Sequence, residues 1–72
     1  MDDDKAAVAA DALELLIMNQ TAIRAALEEL SLWVGQRGST HIHENVMTTL
    51  QTLDTNAKSI GRGISLLRSE QS

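Results

Sequence analysis

The feature that most constrains the fold is a pair of apolar heptad patterns separated by one short segment with two glycines. In the first half of the chain, the pattern residues recur at alternating steps of three and four, and in the second half they do nearly the same. Such spacing is typical of a helix that packs along one stripe against another helix. The first series is Ala9, Leu13, Leu16, Gln20, Ile23, Leu27, Leu30 and Val34. The second is Ile42, Val46, Leu50, Leu53, Ala57, Ile60, Ile64 and Leu67.

The ends of the two predicted helices carry recognisable start and stop signals. Aspartates at positions 2–4 favour a helix start, because side-chain oxygens cap free N–H groups and negative charge suits that end. Gly35 and Gly38 supply residues for a helix stop, and Ser39 or Thr40 is a cap for the next helix. We therefore predict a single helical-hairpin domain over 1–72, with helices over about 3–34 and 40–67 and a loop over 35–39.

The two series match in register when the chain is folded at the loop. Antiparallel helices rise equally per residue, so facing positions have a nearly constant sum of residue numbers. Val34 then faces Ile42 and Leu13 faces Ile64, with every layer between them matched. The sequence predicts an all-α antiparallel hairpin. Its core consists of all residues of the two series except Ala9, Gln20 and Ala57. The same register places the acidic start of the chain near Arg62 and Arg68.

The first helix is apolar over more than one stripe. Its whole apolar arc covers roughly 150°, whereas one partner helix covers a narrow seam. The second stripe, the predicted self-association interface, is Val8, Ala12, Leu15, Asn19, Ala22, Ala26 and Trp33. An uncovered stripe of this kind usually marks an interface. We expect two hairpins to dimerise into a four-helix bundle through this stripe, with Asn19 either setting the register or lying at an exposed edge.

Composition excludes several classes of function. The chain has 72 residues, no cysteine and a net charge of -4, with only six lysines and arginines. Disulfides and thiolate metal sites are therefore impossible, and binding to nucleic acid is disfavoured. The apolar run at positions 15–18 is too short to span a bilayer, and the acidic start is unlike a signal peptide. We expect a cytoplasmic protein that binds neither nucleic acid nor membrane.

Only one cluster looks like a site for chemistry. His41 and His43 are two residues apart, so a regular helix points them in nearly opposite directions. His41 and Glu44 share a face, but two ligands are too few for a closed zinc site. No nucleophile with a neighbouring base can be argued from spacing, and no phosphate-binding glycine loop is present. We expect no enzyme activity, no catalytic residue, no metal and no cofactor.

Trp33-Val34-Gly35, at the bend between two long predicted helices, resembles the WxG turn of the secreted WXG100 family. That resemblance implies a helical hairpin that dimerises into a four-helix bundle and leaves the cell by type VII secretion. It covers three residues and the general architecture. The chain has no tyrosine, so the family's tyrosine-based export signal has no counterpart in it.

The sequence therefore favours a small non-catalytic protein that works by binding proteins. The leading interpretation is a homodimeric helical adaptor, regulator or inhibitor, whose partners are a second copy and another protein. The alternative is a subunit of an obligate hetero-complex, of chaperone, antitoxin or immunity type. Two weaker interpretations are a WXG100-like secreted hairpin and an acidic decoy for a nucleic-acid-binding protein. The residues do not identify the other protein.

Overall fold

The computed structural model describes residues 2–69, which form an all-α hairpin. Helix α1 spans Asp3–Gln36 and helix α2 spans Thr40–Ser69, and within this range no strand is present. The two helices pack side by side into a rod of 53 × 15 × 12 Å. The predicted all-helical hairpin is confirmed. The predicted domain also includes residues 1 and 70–72, which lie outside the described residues.

The helix ends differ from the prediction at the loop. Asp2 caps α1 as expected, its carboxylate accepting a hydrogen bond of 2.8 Å from the backbone N–H of Lys5. However, α1 continues through Gly35 to Gln36, and the residue with the left-handed conformation is Gly38, at φ 105°. Gly35 instead lies where the two helices pack against each other. A Cβ there would lie 3.2 Å from the Cβ of His43, so glycine allows the two helices to approach closely.

Helix α2 packs against α1 largely with the stripe of residues that the heptad pattern predicted. Leu50 and Ile64 are buried. The half-buried members of the stripe are Val46, Leu53, Ala57, Ile60 and Leu67. The exception is Ile42, which was predicted to lie in the core but is exposed at the loop end. The heptad pattern of α2 therefore identified its packing face except in the first turn.

Helix α1 is rotated relative to the prediction. Three predicted core residues, Leu16, Ile23 and Leu30, are about 60% exposed, and Leu27 is 41% exposed. The buried or half-buried residues of α1 include Ala6, Ala10, Leu13, Ile17, Gln20, Arg24, Ser31 and Val34. Positions 17, 24 and 31 therefore face α2 in place of the predicted positions 16, 23 and 30. Each lies one residue later in the chain, about 100° further round the helix.

Polar contacts explain why α1 turns this column away from α2. Its apolar arc is wider than one helix can cover, so α2 packs at the edge of the arc, where hydrogen-bonding partners are available. Gln20 Nε2 donates to the carbonyl of Leu53 at 3.1 Å, and Arg24 donates to the carboxylate of Asp54. The buried apolar core of residues 2–69 consists only of Ala6, Ala10, Leu50 and Ile64.

Candidate interaction surface

The loop end of the hairpin is held by a part-buried hydrogen bond between α1 and α2. Ser31 Oγ lies 2.8 Å from Nδ1 of His43 and donates more weakly to the carbonyl of His43 at 3.4 Å. Ser31 is only 3% exposed. A serine beside a histidine is a potential nucleophile and base, but a substrate has no access to a covered hydroxyl. The pair therefore fixes the register of the helices.

Two ion-paired clusters also join the helices. Arg24 binds Asp54 of α2 and Glu28 of its own helix, and hydrogen bonds from Arg24 lower the pKa of the Asp54 carboxyl. Arg68 binds Asp11 at 3.0 Å and Glu14 at 2.9 Å. Exposed pairs of this kind contribute little to stability, but they neutralise acidic groups along one edge of α1.

The acidic start of the chain was predicted to lie near Arg62 and Arg68, but within residues 2–69 it forms no ion pair with either arginine. Arg68 binds carboxylates two to three turns into α1, at Asp11 and Glu14, and none of the ion pairs within residues 2–69 involves positions 2–4. Arg62 hydrogen bonds Ser59 of its own helix at 3.1 Å. The reason is geometric, since α2 reaches position 68 while still alongside the third and fourth turns of α1.

The predicted self-association stripe lies on the open side of α1. All of its members are exposed: Val8, Ala12, Leu15, Asn19, Ala22, Ala26 and Trp33. The large side chains are exposed by more than half, Val8 at 68% and Trp33 at 53%. The Arg37 guanidinium lies 4.6 Å from the centre of the Trp33 ring, where a cation and an aromatic face attract each other. Thus α2 covers none of this stripe.

The core residues that α1 turns outward enlarge this surface. Leu16, Ile23 and Leu30 lie between the exposed stripe and the line of contact with α2, because each is about 100° from the contact residue that follows it. On this side, a groove between the helices is lined by Leu27, Asn45, Val46, Thr49 and Leu50. We name the stripe together with Leu16, Ile23, Leu27 and Leu30 the open apolar face.

The accessible area of the hairpin is large for its mass. A folded monomer of 7.8 kDa is expected to expose about 4,400 Å², whereas this chain exposes 5335 Å². The difference, about 900 Å² on the same scaling, is close to the area that each partner buries in a standard protein interface, about 800 Å². The elongated shape of the hairpin accounts for such an excess, and its size matches one partner's share of an interface.

Helix α1 also meets a simple criterion for a membrane span. By length and composition alone it is apolar enough to cross a bilayer, with a mean hydropathy of 1.3 in its most apolar window. The uninterrupted apolar run at positions 15–18 is much shorter than this window. Core helices of soluble proteins and signal sequences meet the same criterion, so this property does not assign a location.

The histidine cluster separates in the structure. His41 Nε2 lies 3.4 Å from the side-chain amide of Asn45, whereas His43 binds Ser31 across the hairpin. Within residues 2–69, no group of three or more histidine, aspartate and glutamate side chains is placed to hold a metal ion. The two histidines thus have different neighbours and form no common site.

Sequence reasoning missed the polar residues of the contact line, above all Ser31, His43 and Arg24. A signal existed for the first two, since facing residues sum to 76 in the predicted register, which puts Ser31 and His43 about 3 Å apart in level. A serine in an otherwise apolar stretch of a helix indicates that its hydroxyl has a hydrogen-bonding partner.

Comparison with known protein families, curated proteins and solved structures finds no match to this chain.

Proposed function

We propose that this protein is a non-catalytic interaction module that self-associates through the open apolar face of α1, forming a four-helix bundle that acts as an adaptor, regulator or inhibitor of another protein. The observation that carries the proposal is the exposure of large apolar side chains along the whole length of α1. Contiguous apolar surface of this extent usually marks an interface, because leaving it in water costs free energy.

The shape of the face favours a second helical hairpin as its occupant. The contact line with α2 and the exposed stripe lie on different sides of α1, and Leu16, Ile23 and Leu30 lie between them. A helix in a four-helix bundle has this distribution, because it contacts neighbours on two sides and points the residues between them at the centre. On α2, Ile42 and the side of the groove that faces Leu27 point toward the same bundle centre.

An aqueous, cytoplasmic location goes with this proposal. Insertion of α1 into a bilayer would carry Asp11, Glu14 and Arg24 into hydrocarbon or break their pairs with α2. Charged side chains at the centre of a bilayer cost about 2.5–3.5 kcal/mol each on insertion scales. Covering the face with protein avoids this cost.

A second candidate, a subunit of an obligate hetero-complex of chaperone, antitoxin or immunity type, is favoured by the small core. Two alanines, one leucine and one isoleucine are the buried apolar residues within positions 2–69. Chains of this size rarely obtain more than about 3–5 kcal/mol from one core. A hairpin with so few buried residues needs a partner to be stable, whichever protein that partner is.

Light scattering and circular dichroism of the purified chain over a concentration series test the proposal. We expect a dimer that is highly helical and that melts cooperatively, at a temperature that rises with concentration, because association stabilises the folded state. Leu15→Glu should dissociate it, since the substitution puts a charge in the buried stripe. A chain that is poorly helical at every concentration supports the hetero-complex instead. A stable, helical monomer contradicts both.

A further inference from the structure

The exposed stripe of α1 is complementary to itself when read in the opposite direction. Antiparallel helices that face each other pair residues whose numbers have a nearly constant sum. At a sum of 41, Val8 meets Trp33, Leu15 meets Ala26 and Asn19 meets Ala22, and Ala12 meets Leu30 at 42. Two of these layers place a leucine against an alanine, which is how packed helices interdigitate without voids.

The charges at the two ends of α1 match in the same register. Asp4 pairs with Arg37 at a sum of 41. Both are exposed, and none of the ion pairs within residues 2–69 involves either of them. Arg37 already lies over Trp33, a member of the stripe, so its guanidinium is held on this side of α1. A symmetric pair has this contact twice, once at each end.

The remaining polar groups are compatible with this arrangement. Asn19 lies beside the symmetry axis, and its level differs from that of its copy by about 4.5 Å, so the two amides are within reach of each other. At the edge of the interface, Asp11 lies level with Glu29 of the second copy, a pair of like charges. Arg68 binds Asp11, so the positive charge of an arginine lies beside the two carboxylates.

We propose that the occupant of the open apolar face is a second copy of this chain, bound antiparallel through α1 so that facing residue numbers sum to 41, with an Asp4–Arg37 ion pair closing each end. This inference rests on the proposed self-association and specifies its geometry. A parallel pair brings like charges together at both ends and stacks Trp33 on Trp33, and a slip by one heptad loses the leucine–alanine layers and both ion pairs.

Distances between spin labels measure the orientation and register directly. The chain has no cysteine, so one cysteine introduced at an exposed position outside the stripe labels a single site. In the proposed dimer, labels at Gln36→Cys are separated by about 46 Å along the axes, whereas labels at Thr21→Cys lie at nearly the same level. Pulsed electron paramagnetic resonance should therefore give a long distance for the first variant and a short one for the second.

Each result has one meaning. Dimers with short distances at both positions are parallel and overturn the inference while leaving self-association intact. Antiparallel dimers whose Gln36→Cys distance is longer or shorter than expected by about 10 Å along the axes have slipped by one heptad and overturn it likewise. Variants that are monomeric in light scattering while remaining helical refute the self-association as well as its geometry.

Exchange of the end charges tests the ion pair independently. Asp4→Arg or Arg37→Asp alone should weaken dimerisation by about 2- to 30-fold, because two exposed pairs are lost. The variant with both substitutions restores the pairs in reverse and should bind within about twofold of the unaltered chain. Asp3→Arg is the matched control, since it makes the same charge change at the same helix end but points away from the stripe. No rescue by the double substitution overturns the Asp4–Arg37 contact.

Discussion

Truncation of Leu15 to alanine is the sharpest test of the open apolar face. Full burial of a leucine side chain is worth about 1.5–3 kcal/mol. Leu15 is still 61% exposed in the hairpin, so about 1–2 kcal/mol remains to be gained when a partner covers it. A symmetric dimer contains the residue twice. The substitution should therefore weaken dimerisation by about 2–4 kcal/mol, or roughly 30- to 1,000-fold in Kd.

Leu66→Ala is the matched control. Leu66 is 69% exposed, similar to Leu15, but it lies on α2 on the side away from α1. Both substitutions remove the same atoms from an exposed helical position, so their effects on the isolated hairpin should be alike. Only Leu15→Ala should change the dimer. The difference between the two variants thus isolates the interface from the general effect of a leucine.

Sedimentation equilibrium on both variants and on the unaltered chain gives the three dissociation constants. We expect Leu66→Ala to match the unaltered chain within about twofold, because scattered exposed apolar residues carry no interface energy. Equal dissociation constants for the two variants would refute the assignment of α1 as the interface. A loss of dimer with Leu66→Ala alone would move the interface to the outer side of α2.

The hairpin itself makes three further predictions. Gly61→Ala should raise the free energy of unfolding by about 1 kcal/mol, because its Cβ meets open space and alanine favours a helix; Gly35→Ala should fall short of that gain in the same urea titration, because its Cβ would press on His43. Ser31→Ala should lower the free energy of unfolding by about 1 kcal/mol, since it removes the part-buried hydrogen bond to the His43 ring. An unchanged urea midpoint would show that the bond is dispensable. Asp54→Asn should make the helicity fall less steeply with pH below about pH 4. The pKa of the Asp54 carboxyl is lower in the folded chain than in the unfolded chain, so its ion pair stabilises the fold fully above the unfolded-state pKa. This stabilisation is lost as the pH falls through the folded-state pKa. Equal acid titrations of the variant and the unaltered chain would contradict this.

The sequence by itself determined the hairpin and the surplus of apolar surface. The two heptad series, the aspartate cap and the glycine segment each depend on local rules that hold in any helix. The two helices, the presence of a short loop and the stripe of α2 beyond its first turn therefore followed from them. The exposure of Val8, Leu15 and Trp33 followed as well, because an arc wider than one partner must leave part of itself uncovered.

Only the tertiary structure decided which part of that arc α2 covers. Counting apolar columns favoured Leu16, Ile23 and Leu30, but the contact uses their neighbours, including Arg24 and Ser31. The periodicity of one helix fixes the width of its apolar arc and not the position of a neighbour along it. That position depends on pairwise contacts, such as the hydrogen bond of Ser31 to His43, between residues that are far apart in the chain. By turning its most apolar column away from α2, the hairpin leaves the open apolar face uncovered.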